Sequence, residues 1–345
     1  MTKVMAAMSG GVDSSAVAVL LKNAGYEVFG GTLRLYDVKG EISHDIQDAK
    51  MVCQRLNIPH FVYDLRDAFE KRVISPFIDT YLSGGTPNPC IECNKHIKFG
   101  GLLDCARKSG AEYIATGHYA RIKKQGDRYL LCRGADYSKD QTYVLYGLKQ
   151  EQLSHVLLPL GELNKAQVRE LALSSGLITA HKSDSQDICF VPDGDYASFM
   201  EQHRGFKAPC GHYIDENGNV LGEHKGVIRY TIGQRKGLGI ALGKHAFVLN
   251  KNVENNTVTL GDEPALFKNR VEVSDINFIP FDTLNEPIRV TAKLRYRHLE
   301  QPATIHPVDE NSVLIEFDEP QRAPSPGQAA VFYDGETVIG GGTIK

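Results

Sequence analysis

Residues 4–21 read Val4-Met5-Ala6-Ala7-Met8-Ser9-Gly10-Gly11-Val12-Asp13-Ser14-Ser15-Ala16-Val17-Ala18-Val19-Leu20-Leu21, two apolar runs joined through two glycines, three serines and an aspartate. The first run reads as a buried strand and the second as the body of a helix. A strand that enters a helix through a glycine turn aims unpaired backbone N–H groups and the positive helix end at one point, so the turn is read as an anion site. Gly10 and Gly11 allow a close backbone approach, and the hydroxyls of Ser9, Ser14 and Ser15 add donors. A Walker-type loop ends in Gly-Lys-Ser/Thr, and no lysine stands here. The plainer alternative is a tight turn capped by Ser9.

Around this loop, apolar runs at 3–8, 27–33, 59–63 and 113–117 alternate with helical patterns near 13–24, 44–56, 66–82 and 95–109. That alternation predicts a parallel sheet covered on both faces, a doubly wound α/β domain with its ligand crevice at the carboxyl ends of the strands. The Ser9 loop lies at such an end, and so does Thr116-Gly117-His118-Tyr119. Asn164 reads as the N-cap and Gly176 as the C′ residue of a further helix. From about Phe206 the texture changes to short alternating runs with turns such as Asn217-Gly218 and Asp334-Gly335. The expected division is an α/β domain over 1–205, a small β domain over 206–270 and a C-terminal β-barrel over 271–345.

At 345 residues the chain is too long for one ordinary core. A net charge of −3 with 23% charged and 42% apolar residues is an ordinary globular balance, so any nucleic-acid partner must be held by local patches. The opening residues lack a leader pattern and no apolar run suits a bilayer, which predicts a cytoplasmic protein without membrane association. Seven cysteines, odd in number and scattered, argue for reduced thiols rather than a disulfide framework.

The second dense signal is Thr86-Pro87-Asn88-Pro89-Cys90-Ile91-Glu92-Cys93-Asn94-Lys95. Its prolines fix an extended entry, and helical texture after Asn94 predicts Cys93 at a helix N-terminus beside Lys95 and His96, where thiolate is favoured. Cys189 ends the polar stretch Lys182-Ser183-Asp184-Ser185-Gln186-Asp187-Ile188. Cys53, Cys105 and Cys132 have apolar neighbours and read as core; Cys210 carries no role in this reading. A zinc site takes four ligands, commonly from two Cys-x-x-Cys pairs, and the chain has one such pair. A thioredoxin-like pair would have no use for a phosphate loop upstream.

In the β half, Arg289, Thr291, Lys293, Arg295 and Arg297 alternate with Val290, Ala292, Leu294 and Tyr296, so one face of a strand is basic. Lys225, Arg229, Arg235, Lys236, Lys244 and Lys251 form a run without acids between His224 and Val253. Both patterns suit either an RNA-phosphate surface or charge that serves solubility.

The Ser9–Ser15 run resembles the PP-loop of ATP pyrophosphatases. Together with Thr86–Phe99, Thr116–Ala120, Lys139-Asp140-Gln141, Ser183–Phe190 and Lys293-Leu294-Arg295-Tyr296, it occurs in the order and spacing of the tRNA-specific 2-thiouridylases, across essentially the whole chain. The resemblance implies an enzyme that activates the C2 carbonyl of the wobble uridine of tRNA with ATP and Mg2+, releasing pyrophosphate. A persulfide sulfur then displaces AMP. By the same resemblance Ala7, Met8, Ser9, Gly10, Gly11, Val12, Asp13, Ser14, Ser15, Leu33 and Gly117 hold the nucleotide. Cys189 carries the persulfide and Cys93 is its partner, the two ending each turnover as a disulfide. Asn88, Pro89 and Cys90 meet the target base, and His118, Lys139, Asp140, Gln141, Arg295, Tyr296 and Gln328 contact tRNA. A sulfur-donor protein or sulfide is the further partner, and a monomer is expected. Asp13 reads equally as a magnesium ligand or as an aspartate that suits the helix dipole.

One position departs from the family. Many members carry Asp where Cys90 stands, and that carboxylate is assigned to acid–base catalysis. Cys90, Cys93 and Cys189 instead resemble the trio that holds a [4Fe–4S] cluster with one open iron in other tRNA thiolation enzymes, so a persulfide relay and cluster-bound hydrosulfide stand as alternatives. Two rivals remain, an AMP-forming PP-loop amide ligase, which has no use for Cys93 or Cys189, and a non-catalytic RNA-binding protein with a structural metal. Tyr296 carries a tension, because strand alternation buries it whereas the resemblance puts it at RNA.

Overall fold

The structure, a computed structural model, describes residues 1–36, 44–182 and 188–345. Residues 183–187 of the Cys189 motif lie outside the described residues.

The first unit carries strands β1 (Lys3–Ala7), β2 (Glu27–Arg34), β3 (His60–Asp64), β4 (Tyr113–Ala115), the hairpin β5 (Ala120–Gln125) and β6 (Arg128–Arg133), and β7 (Val156–Leu157). A parallel sheet of order β3-β2-β1-β4-β7 forms from five of them. Alternate side chains of β1 enter opposite layers. Val4 and Ala6 join Val17, Val52 and Val168 in one core, and Met5 joins Phe29, Phe99 and Leu102 in the other. This is the expected doubly wound arrangement. Because the chain leaves β1 toward β2 on one side and β4 lies on the other, the crevice opens between the carboxyl ends of β1 and β4.

Helices Val12–Asn23 and His44–Arg55 follow the predicted pattern, and a continuous helical run covers 66–82. The next helical run covers 89–108 and starts six residues before the predicted 95. Asn88 accepts the Cys90 N–H at 3.1 Å and Pro89 fills the first helical position, so the capping signal lies upstream of the apolar periodicity. Its stretch Cys93–Gly101 is wound as wide π turns. Asn164 caps helix Lys165–Ser174 through Gln167 N at 3.0 Å, and Gly176 takes φ +64°, as expected.

The middle unit holds β8 (Gly211–Ile214), β9 (Val220–His224), β10 (Phe247–Asn252) and β11 (Thr257–Gly261) in the order β10-β11-β8-β9. The last holds β12 (Phe267–Phe278), β13 (Ile288–Lys293), β14 (Gln301–Asp309), β15 (Ser312–Arg322), β16 (Ala329–Asp334) and β17 (Thr337–Ile344). These six close into a barrel through β12–β17 pairing, around Val273, Ile305, Ile315 and Phe332. Strand β12 runs unbroken through Arg270, so a break at that residue would cut a strand and the chain changes sheets between β11 and β12. The β5–β6 hairpin also joins the barrel sheet, with Cys132 opposite Thr337 on β17. Among the described residues no helix is long and apolar enough to cross a membrane.

Candidate active site

Gly11 is the N-cap of helix Val12–Asn23 and offers no side chain to close its end. The loop is shaped by its own hydroxyls. Ser14 Oγ accepts the Ser9 N–H at 3.2 Å, and the Ser14 and Ser15 hydroxyls donate to the Gly11 carbonyl at 3.1 and 2.8 Å. Gly10 sits at φ +70°, where a Cβ would lie 2.4 Å from the Asp45 carbonyl oxygen. A Cβ on Gly117 would lie 2.9 Å from that of Asp13, so the turn after β4 packs on the first turn of the helix. Ala7 ends β1 and Leu33 lies near the end of β2, at the same sheet edge. All the residues assigned to the nucleotide by resemblance therefore meet at the crevice.

Asp13 is already engaged. Both its oxygens lie 2.8 Å from Lys165 Nζ, and the Tyr119 hydroxyl donates to it at 2.9 Å. Lys182 stands on the other side of the loop, donating to the Gly10 carbonyl at 3.1 Å and pairing with Asp45 at 3.0 Å and Asp48 at 2.6 Å. Burial pulls its pKa down, but hydrogen bonds to the two carboxylates leave it raised. These two ammonium groups flank the loop, and sequence reasoning assigned neither. Lys165 left a signal, since a cation in the first turn of a helix opposes the dipole and so calls for another use.

The thiols gather against one aromatic cluster. Phe190 packs edge-on against Phe69 and Phe77 at centroid distances of 5.6 and 5.3 Å, in the core that also contains Cys93 and Ile97. Cys189, one residue earlier, reaches the surface, and the Tyr36 hydroxyl donates to its carbonyl at 2.8 Å. Tyr36 is pushed up to about 12 by burial, with Cys189 and Asp45 adding to the shift, and Asp45 is the residue that packs on Gly10. The Cys189 segment and the glycine loop thus share a neighbourhood.

Cys93 is not at a helix start. It lies in the second turn, buried, and burial pushes its pKa up to about 12, against the pull of Lys98 and with Cys189 and Cys90 adding to the rise. The expectation of a favoured thiolate is corrected accordingly: dehydration outweighs the helix dipole. Cys90 and Cys189 reach the surface from a crowded recess whose dehydration raises both. Lys98 acts on all three thiols, and a π turn sets residues five apart in register, as Cys93 and Lys98 are. Cys53 and Cys132 are buried and Cys105 partly so, as expected of core positions.

The residues assigned to tRNA occupy different settings. Tyr296 is exposed because β13 ends at Lys293 and a turn follows, which breaks the alternation that would have buried it. Its ring lies 5.9 Å from that of Tyr143, with Lys293 Nζ 5.7 Å above it, and both Asp140 and Cys90 raise its pKa after burial. Asp140, Lys293, Tyr296 and Cys90 are thereby drawn together. Asp140 is buried and accepts from the Thr142 hydroxyl at 2.7 Å, Gln141 Oε1 accepts the Tyr119 N–H at 2.9 Å, and Lys139 precedes them in the same short turn. His118 is buried beside Phe99, bonded to Thr116 Oγ1 at 2.8 Å, and desolvation with Lys98 nearby keeps it neutral.

The predicted basic stripe is largely spent on internal contacts. Arg289 pairs with Asp318, and in the middle unit Arg229 pairs with Glu201 and Lys244 with Asp262, acids that lie outside the locally acid-free run. Arg295 donates to Ala323 O at 2.6 Å, Ser325 Oγ at 2.9 Å and Ile232 O at 3.3 Å, tying the middle unit to the barrel. Arg295→Ala is therefore expected to cost about 1–3 kcal/mol of stability, read as a lower Tm, while leaving the salt dependence of RNA binding unchanged. A salt slope flattened by about one unit at constant Tm would assign the guanidinium to a phosphate instead.

Comparison with known proteins gives one result over the whole length. Residues 2–193 match the family described as tRNA methyl transferase HUP domain, 197–262 its PRC-barrel domain and 268–344 the aminomethyltransferase beta-barrel domain. The tRNA-specific 2-thiouridylase MnmA of Clostridioides difficile (strain 630) is 50% identical over 353 residues, covering 99% of this chain and 98% of that protein. The protein of the same name from Acetivibrio thermocellus is 48% identical over 355 residues, covering 99% of each.

Proposed function

The chain belongs to the tRNA-specific 2-thiouridylase family, an ATP-using group of tRNA sulfurtransferases that form 2-thiouridine, and we propose that it acts on the wobble uridine (U34) through an adenylated base and a persulfide on Cys189. The observation that carries this reading is a chain of neighbours: Cys93 and Phe190 share one core, Tyr36 bonds the Cys189 carbonyl and lies near Asp45, and Asp45 packs on Gly10.

Uridine O2 is a weak nucleophile, so the first step depends on positioning and on neutralising the leaving pyrophosphate. The loop amides and the Lys165 and Lys182 ammonium groups supply that charge. O2 attacks the α-phosphorus, and the bond to pyrophosphate breaks. The terminal persulfide sulfur then bonds to C2, the C2–O bond breaks and AMP departs with its electron pair. Cys93 sulfur attacks Cys189 Sγ, the S–S bond of the persulfide breaks, and its electron pair remains on the transferred sulfur as the C=S bond forms. A Cys93–Cys189 disulfide is left for a dithiol reductant to reopen. Since Cys93 is dehydrated and protonated as the cleft stands, its deprotonation must accompany the arrival of RNA and persulfide, with Lys98 as the cation that favours the anion.

Magnesium suits the nucleotide's own phosphates, because Asp13 is occupied by Lys165. Among the described residues no three His, Cys, Asp or Glu side chains are gathered closely enough to hold a metal ion. No step is routed through a [4Fe–4S] cluster on Cys90, Cys93 and Cys189, and the persulfide relay is the proposed route. The reading includes a cytoplasmic monomer in which the α/β unit does the chemistry and the two β units seat the tRNA. The test is mass spectrometry of total tRNA from cells lacking the protein, where loss of 2-thiouridine is expected. Pyrophosphate release with ATP but without tRNA would favour the amide ligase instead.

A further inference from the structure

The loop 83–88, which leads into Asn88-Pro89-Cys90, is held from three sides. Its own helix supplies the Thr80 carbonyl to Gly85 N at 2.8 Å. The barrel supplies the Pro326 carbonyl to Thr86 N at 2.7 Å, and Gln328 Nε2 donates to Thr86 O at 2.8 Å. From β10 of the middle unit, Lys251 Nζ donates to Gly85 O at 3.3 Å. The fit leaves no slack. A Cβ on Gly85 would lie 2.7 Å from Thr80 Cγ2, and one on Gly327 would lie 3.0 Å from Thr86 N.

Lys251 is the unexpected member. Its side chain is mostly buried, it forms no ion pair among the described residues, and burial alone pulls it down to about 8. A dehydrated amine with one backbone acceptor is a poor contributor to stability, and methionine would fill the same space without that cost. Its value must then lie in what it holds.

We propose that Lys251 is a positioning residue for the base-facing segment Asn88–Cys90, fixing it through the Gly85 carbonyl from the middle unit as Gln328 does through Thr86 from the barrel. The inference rests on the functional reading above and extends it: the two β units set the register of the catalytic helix as well as seating RNA. Lys251 touches no reacting atom, and its effect passes through the loop.

Lys251→Met separates this role from a structural one. The expected result is a kcat for thiolation lower by about 10- to 100-fold, the range that follows from displacing reacting groups by up to an ångström. KM for ATP and tRNA should stay within twofold and Tm should be unchanged or higher. Amide hydrogen exchange over 84–90 should quicken at least tenfold. Unchanged exchange and turnover, or a kcat loss that tracks a fall in Tm, would overturn the proposal. Failure of the functional reading looks different: wild-type protein would make no thiouridine, yet the variant would still show faster exchange at 84–90.

Discussion

Cys93→Ser and Cys189→Ser are each expected to abolish 2-thiouridine formation, by at least about 10³-fold, while pyrophosphate release that needs both ATP and tRNA stays within about threefold of wild type. The separation follows from the two-step chemistry. In the proposed reaction adenylation uses the glycine loop and its flanking lysines, and the thiols enter only at sulfur transfer. Sulfur transfer needs one sulfur to carry and another to resolve, and a serine oxygen can do neither. Because the two thiols act as a unit, the double variant should be no worse than the single ones. Iodoacetamide adds an independent readout at about pH 8. Cys189 reaches the surface, whereas Cys93 is buried and pushed up to about 12, so Cys189 should be labelled first. Persistent thiolation in either variant would remove the persulfide relay. Cys90→Ser sorts the remaining chemistry, since a relay between Cys93 and Cys189 survives that change and a three-cysteine cluster does not.

The α/β unit was legible because its signals are local. Parallel strands write continuous apolar runs, and all four predicted ones lie within three residues of their observed ends, the half-exposed edge strand β3 included. The start of the 89–108 helix was missed because the cap lies in a Pro-rich stretch that reads as extended, and the same error placed Cys93 at a helix end. Burial of that thiol involves a core that includes Phe190, about a hundred residues away, which no local pattern reports. The cation patterns were legible only in part for a related reason. Neither the strand stripe nor the acid-free run reports Asp318, Glu201 or Asp262, which arrive from other elements and pair with Arg289, Arg229 and Lys244. Tyr296 was resolved by the end of a strand, where a period of two no longer applies.

Lys165 and Lys182 show the same limit at the site itself. The glycine loop could be recognised from seven residues, but the cations that complete it lie more than 150 positions away and converge through the fold. Under the proposed function, they would supply the charge that a Walker loop carries internally, from two distant elements, the helix after Asn164 and the segment after the turn Ile178–His181.

Gly10→Ala and Gly11→Ala are expected to fail differently, and the difference tests whether this loop binds phosphate. At Gly10 the backbone is left-handed, which costs an L-residue about 1–2 kcal/mol, and the new Cβ would meet a backbone oxygen at 2.4 Å. That oxygen belongs to Asp45, in the first turn of helix His44–Arg55, so the helix start must shift and carry Asp45 and Asp48 away from Lys182. The Gly10 variant should lose pyrophosphate release by at least about 100-fold together with several degrees of Tm. Gly11 has an ordinary φ of −97°, and the nearest atom to a new Cβ is Ser9 Oγ at 3.6 Å. The fold accepts alanine there at a cost of about 1 kcal/mol or less as an N-cap. Only a ligand approaching that turn meets the added methyl. Gly11→Ala should therefore keep Tm within a few degrees while KM for ATP rises at least about tenfold. An unchanged KM in a stably folded Gly11→Ala protein would mean that the triphosphate lies elsewhere, and that Gly10 is required only for packing against Asp45.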